Sequence, residues 1–314
     1  MHRHCPGRRN FLKQLGALAV AGGLHGSPGK SPVNPLPNPV GYATISWPES
    51  MFEQALETIS GLGFKGVQML GWVREAYRGS RVETLRDRLR ALKLQPAALS
   101  CSNVVLDPEK PRDETGELRA YAAFFQRLGG FYLQVTDGGK PRKRYSAETI
   151  QQLGARMTDM GKIARDHGLT LGYHPHFGTI GETREGLARV LEATDPRYVK
   201  LIADVGHLTL GGADPAEVVR TYHDRLIFLH LKDVRRDAAE RAAKSRDSVR
   251  RERYVFCEIG TGAVNFPSII QAFRDTAFTG WVIVELDGYK RGPGGADASA
   301  QTNKEAVQKL GFRV

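Results

Sequence analysis

The sequence predicts an α/β protein whose main domain closes into an eight-stranded parallel (β/α)8 barrel. Three observations carry that expectation. From Gly41 onward, short apolar runs alternate with helical stretches eight times, which suits a closed barrel better than an open doubly wound sheet. Four of the last runs, LTLGYHPHF, VKLIADVGHL, RLIFLHLKDV and WVIVELD, finish in His, Asp, Lys or Glu, at the C-terminal tips where α/β proteins place their chemistry. No GxGxxG follows the first run, so a dinucleotide fold is excluded as the first choice.

In chain order, residues 1–30 read as an address. Arg8-Arg9-Asn-Phe11-Leu12-Lys13 precedes a Gly/Ala-rich apolar run ending near Leu24. It resembles a twin-arginine signal peptide, which implies export to the periplasm. The run is too short and too rich in glycine for a permanent membrane anchor. Residues 31–40 continue a Pro/Gly-rich stretch that reads as a linker. The barrel then occupies 41–314.

Strands are expected at 41–45, 65–70, 96–101, 131–136, 169–175, 199–204, 226–231 and 281–286, each apolar and short. Helices are expected near 49–62, 81–93, 115–129, 146–167, 182–193, 214–224, 266–276 and 296–310. Pro48-Glu49, Ser146-Ala-Glu148 and Asp214-Pro215 supply helix starts. Gly63, Gly129 and Gly168 stand where helix C-caps are wanted. The stretch from Arg235 to Phe266 is an insertion. Its charged first part reads as a solvated helical excursion, and Cys257-Glu258-Ile-Gly260-Thr-Gly262 as a tight turn over the barrel mouth.

The formal charge of +11 points to nucleic acid only until it is located. Residues 1–30 carry five basic residues and no acidic ones, and Arg235–Arg253 carries eight basic against four acidic. The remainder of the chain is close to neutral, so no nucleic-acid partner is expected. Cys5, Cys101 and Cys257 lack any metal-binding spacing.

His174 and His176 lie two apart on one strand and face the same side. Asp204 ends an apolar strand, where it can ligate a cation or cap the following helix. His230 and Lys232 again share a face. A lysine aimed into a barrel needs an anion, a carbonyl or a lost proton. Glu285 follows Val282-Ile-Val284 and needs a partner for the same reason. Four consecutive tips thus offer His174, Asp204, His230 and Glu285, a mixed N/O set suited to one divalent metal ion, Mn²⁺, Co²⁺, Fe²⁺ or Zn²⁺.

These motifs, His174-Pro-His176, Asp204-Val-Gly-His207, His230-Leu-Lys232-Asp233, Gly260-Thr-Gly262 and Gly280-Trp281 to Glu285, resemble the xylose isomerase-like TIM-barrel superfamily over about residues 41–312. The superfamily includes sugar phosphate isomerases, epimerases and inosose dehydratases. The resemblance implies Asp204, His230 and Glu285 as metal ligands, with His174 in the strand-five place where many members carry a glutamate. It implies His207 and Trp281 as substrate contacts. Lys232 is similar to a lysine of metal-dependent 3-dehydroshikimate dehydratases and, with His176, is expected to move protons. Glu258 is a further acid or base from the rim. Gln68 stands where a glutamate is common.

The expected chemistry is proton abstraction beside a metal-polarised carbonyl of a small keto-sugar or inosose. Loss of the strand-five carboxylate favours dehydration by β-elimination, with ketose isomerisation or epimerisation as the alternative. From other classes stand an endonuclease IV-type repair enzyme, which lacks its early-strand ligands here, and a noncatalytic sugar-binding barrel. Sequence leaves the assembly open between monomer and homodimer.

Overall fold

The structure, a computed structural model, describes residues 35–105, 113–139, 145–252, 254–287 and 295–314. The leader at 1–30, Cys5 and the start of the linker lie outside the described residues. From Pro35 to Val314 the chain is one compact unit. Strands β1 Val40–Ala43, β2 Gly66–Leu70, β3 Gln95–Val104, β4 Tyr132–Asp137, β5 Thr170–Tyr173, β6 Val199–Asp204 and β7 Leu226–Leu231 are followed by two short pieces, β8 Asp233–Val234 and β9 Phe256–Cys257, and then by β10 Trp281–Val284. The barrel closes in the order β1-β10-β7-β6-β5-β4-β3-β2, all neighbours parallel.

The connecting helices are α1 Phe52–Gly61, α2 Trp72–Ala76, α3 Arg81–Ala91, α4 Glu114–Leu128, α5 Ala147–Asp166, α6 Arg184–Glu192, α7 Val205–Gly211, α8 Pro215–Tyr222, α9 Arg236–Lys244, α10 Phe266–Thr276 and α11 Gly295–Lys309. Their starts are chemically specified. Ser146 Oγ accepts from Thr149 N, and Asp214 accepts from Ala216 N with Pro215 at the first helical position. Gly129 ends α4 in the left-handed region at φ 78°, a conformation that costs a side-chain-bearing residue more.

Most buried apolar side chains lie between strands and helices. A smaller cluster, including Ala43, Ala98, Ile202, Phe228, Trp281 and Ile283, packs inside the barrel, from Trp281 at the start of β10 to Ala43 at the end of β1.

Two expectations are corrected. The linker was expected to extend to residue 40, but its last residues are docked. Leu36 and Asn38 are buried, Leu36 N donates to Gly311 O, and Asn38 Nδ2 donates to Phe278 O and Gly280 O. Side-chain burial and hydrogen bonding overrule the disorder that proline content suggests, and β1 starts at Val40. The charged excursion does form α9, but Ala238 and Ala242 are buried, so its helix has an inner face.

Candidate metal centre at the C-terminal mouth

His174 directly follows β5, and its N–H extends the ladder to Val135 O at 2.8 Å. Gly172, on the same face, makes room for Ile202, which a Cβ would meet at 2.3 Å. Asp204 and His230 are register partners on β6 and β7, and Glu285 N bonds Leu231 O at 3.1 Å. Alternation along parallel strands turns all four side chains inward. One ligand atom from each of His174, Asp204, His230 and Glu285 lies within 4.8 Å of the others.

The donor atoms fit a divalent ion. Asp204 Oδ1 accepts from Gly206 N at 2.8 Å and His207 N at 3.0 Å, capping α7. Its Oδ2 faces the cluster without an aligned donor, although Lys232 Nζ stands 3.1 Å away. Capping and ligation, posed by the sequence as alternatives, are therefore open to one carboxylate at once. His174 Nε2 and His230 Nδ1 are buried and unpartnered. His174 Nδ1 lies 3.4 Å from Ile202 O, an orientation that turns Nε2 toward the cluster.

Burial holds the His174 and His207 pKa values well below the ordinary range, with neighbouring histidines and Lys232 adding to it. His230 and His176 are lowered by burial as well. Neutral imidazoles are the form that ligates. Buried, unpaired and neutral N donors beside carboxylates are a set a divalent ion satisfies, and this donor set has no thiolate that would favour a structural zinc site.

Lys232 is fully buried. Its Nζ lies 2.7 Å from Glu285 Oε1, 3.1 Å from Asp204 Oδ2 and 2.9 Å from Asp287 Oδ1, with the Phe256 ring centroid at 4.7 Å. Burial opposes the charge, but Asp204, Asp287 and Glu285 outweigh it and hold the ammonium well above the usual lysine range. Of the partners a barrel lysine needs, an anion, a carbonyl or a lost proton, Lys232 has the first: its nearest charges are three carboxylates. Burial likewise opposes the Glu285 charge, and His230 and Lys232 overrule it, holding that carboxyl below the usual range.

Of the other expected site residues, His176 and His207 pack together with ring centroids 4.0 Å apart, and with His174 they form a second close group of ligand atoms. His176 lines a cavity of about 210 Å³ at the mouth, together with Gln68, Ser100, Gln134, Thr136 and Glu285. Glu258 is not brought in. Its Oε1 accepts from Ser299 Oγ on α11 at 2.8 Å, and it belongs to neither group of ligand atoms. Trp281 is placed at the wrong end for a substrate contact. It opens β10 opposite Phe228 and packs with the floor cluster, so its motif position reflects packing.

Sequence reasoning did not assign three residues that complete the site. Gln68 Oε1 lies 2.6 Å from His230 Nε2, and its Nε2 donates to Glu285 Oε2 at 3.2 Å. Asp287 is the third carboxylate on Lys232, and its shared parity with Glu285 was the available signal. Phe256, from the insertion, covers Lys232 and has no local signature. Asp233 faces away from the cluster, toward the Gly260–Gly262 turn. Its Oδ2 accepts from Gly260 N and Gly262 N at 2.8 Å each, and Oδ1 from Val264 N at 3.0 Å.

The family description "Xylose isomerase-like TIM barrel" matches residues 56–309. The inosose dehydratase of Geobacillus kaustophilus (strain HTA426) is 29% identical over 283 residues, covering 81% of this chain and 88% of the relative. Among solved structures, an IOLI protein with a binding zinc atom superposes with a TM-score of 0.69 at 16% identity, covering 87% of this chain and 97% of that one. The probable 3-DHS dehydratase AsbF from Bacillus anthracis gives 0.69 at 18% identity, over 86% and 98%.

Proposed function

Because this chain belongs to the xylose isomerase-like TIM-barrel family, we propose that it is a divalent-metal-dependent carbohydrate lyase that dehydrates a keto-polyol of the inosose type. The observation that carries the reading is the buried quartet His174, Asp204, His230 and Glu285, whose ligand atoms lie within 4.8 Å of one another at the barrel mouth. Relatives named inosose dehydratases, aligned over about four-fifths of the chain, support the reaction class.

His174, Asp204, His230 and Glu285 would hold the ion, which as Mn²⁺, Co²⁺, Fe²⁺ or Zn²⁺ supplies Lewis-acid polarisation of a substrate carbonyl when bound. Gln68 fixes Glu285 and His230 by hydrogen bonds to both. Lys232 aligns Glu285 and Asp204 from behind and does not itself line the cavity. His176 does line it, stacked on His207, and would take the proton beside the carbonyl and return it to the departing hydroxyl as water. Asp233 and the Gly260–Gly262 turn hold Phe256 over Lys232, covering the ammonium on that side.

Elimination is favoured over isomerisation because strand five presents His174 in place of a carboxylate, leaving no second carboxylate base on that side. The test is incubation of metal-loaded protein with inososes in D₂O. A conjugated enone or diketone product supports dehydration. Conserved molecular formula with deuterium exchanged into the sugar would make it an isomerase or epimerase. The twin-arginine-like leader supports export to the periplasm as the site of action, checked by fractionating cells that express the full chain and a variant with Arg8 and Arg9 changed to Lys.

A further inference from the structure

The mouth cavity has two unlike walls. One carries Glu285, His176 and Gln68; the other is built by β3 and β4 and presents Ser100, Gln134 and Thr136. The second wall contains no metal ligand and no group used in the chemistry above. Two of its polar side chains nevertheless carry a buried atom without a protein partner. Gln134 is more than nine-tenths buried at 8% exposure, and its Oε1 receives no donor; Thr136 Oγ1 is also buried and unpaired. Ser100 Oγ accepts from Gln68 Nε2 at 3.0 Å, which leaves its own hydroxyl hydrogen to donate.

Buried polar groups are normally satisfied. Leaving the Gln134 acceptor without a donor disfavours the free state and favours whatever brings one. Ser100 and Gln134 are register partners across β3 and β4, and Thr136 follows Gln134 on the same face, so the three form a column along one wall. A cavity of about 210 Å³ corresponds to roughly seven waters at about 30 Å³ each, room for a single six-membered polyol ring.

We propose that Ser100, Gln134 and Thr136 form a hydroxyl-reading subsite that grips the part of a cyclic polyol remote from the reacting carbonyl, with Gln134 Oε1 accepting from one ring hydroxyl. This rests on the keto-polyol reading and adds a specificity determinant to it. A site built to bond a hydroxyl rejects the analogue lacking it, because its own buried group is then left unpaired.

The experiment compares wild type, Gln134→Leu and Thr136→Val, each checked for metal content and circular dichroism, on an inosose and its monodeoxy analogues. For wild type, one deoxy analogue should show KM raised about tenfold, in line with one lost buried hydrogen bond. Gln134→Leu should show that higher KM for the parent, no further rise for that analogue, and kcat within about twofold. Equal KM for wild type and both variants across all analogues overturns the subsite while leaving dehydration intact. Should wild type turn over no inosose, the dehydratase reading fails, and titration calorimetry of the inosose with wild type and Gln134→Leu decides the subsite: unequal affinity supports it, equal affinity or no binding overturns it.

Discussion

The Lys232 ammonium stands 2.7 Å from Glu285 Oε1 and 3.1 Å from Asp204 Oδ2, so one buried cation pairs with two of the residues that would hold the metal. Lys232→Met leaves Asp204, Glu285 and Asp287 facing one another. Removing one partner from a buried ion cluster costs about 3–5 kcal/mol. The metal-free variant should therefore melt well below metal-free wild type. Added Zn²⁺ or Mn²⁺ should raise its Tm more than that of wild type, since a divalent ion replaces the lost positive charge. Calorimetry with and without metal checks this, and equal metal-induced shifts would count against a shared electrostatic site.

Asp204 caps α7 through Oδ1 and leaves Oδ2 for the cluster. Asn is as good an N-cap as Asp, whereas Ala loses about 1 kcal/mol. Asp204→Asn should accordingly keep α7 yet lose the metal and turnover. Asp204→Ala should lose the cap as well. Elemental analysis of both variants separates ligation from capping, and a fully metallated, active Asp204→Asn would remove this residue from the metal shell.

Glu182, nearly fully buried, receives a bidentate pair from Arg250 at 2.7 Å each, while Arg250 lies over Phe177 at 4.9 Å. This pair joins the segment carrying α9 to the loop that follows His176. Arg250→Ala strips the buried carboxylate of its best partner and should increase amide hydrogen exchange in Arg236–Lys244 about tenfold or more. Hydrogen-exchange mass spectrometry reads the effect directly; unchanged exchange there would mean the excursion is held by its apolar face alone.

Burial pushes the Cys257 thiol up to about 11, with Asp233 and Glu258 adding to the effect and the Thr261 hydroxyl opposing it. Iodoacetamide should modify Cys257 slowly at pH 8, with the rate climbing toward a midpoint near 11. Because the folded thiol keeps its proton where the unfolded one has lost it, this group lowers stability as pH rises from about 9 to 11. A midpoint close to that of a free thiol would show the segment to be open to solvent.

The eight alternating runs sufficed for the barrel, because hydrophobic period and helix caps such as Ser146 and Asp214 are local properties. Helix α7 was not legible as a helix, since the same residues that start it, Asp204 to His207, also read as a metal motif. The quartet was legible because strand alternation fixes which face a tip residue takes. Trp281 misled because its motif was read as one unit, although it opens the run that Glu285 closes and the length of the strand separates the two.

By itself the sequence determined the alternation, the shared face of His174 with His176 and of His230 with Lys232, and a set of strand-tip N and O donors, His174, Asp204, His230 and Glu285, of the kind a divalent ion suits. Only the tertiary structure decided what surrounds Lys232. Asp287, Glu285, Asp204 and Phe256 reach it from three separate segments, and a charge buried among groups distant in sequence takes its state from Coulomb interactions that no local pattern encodes.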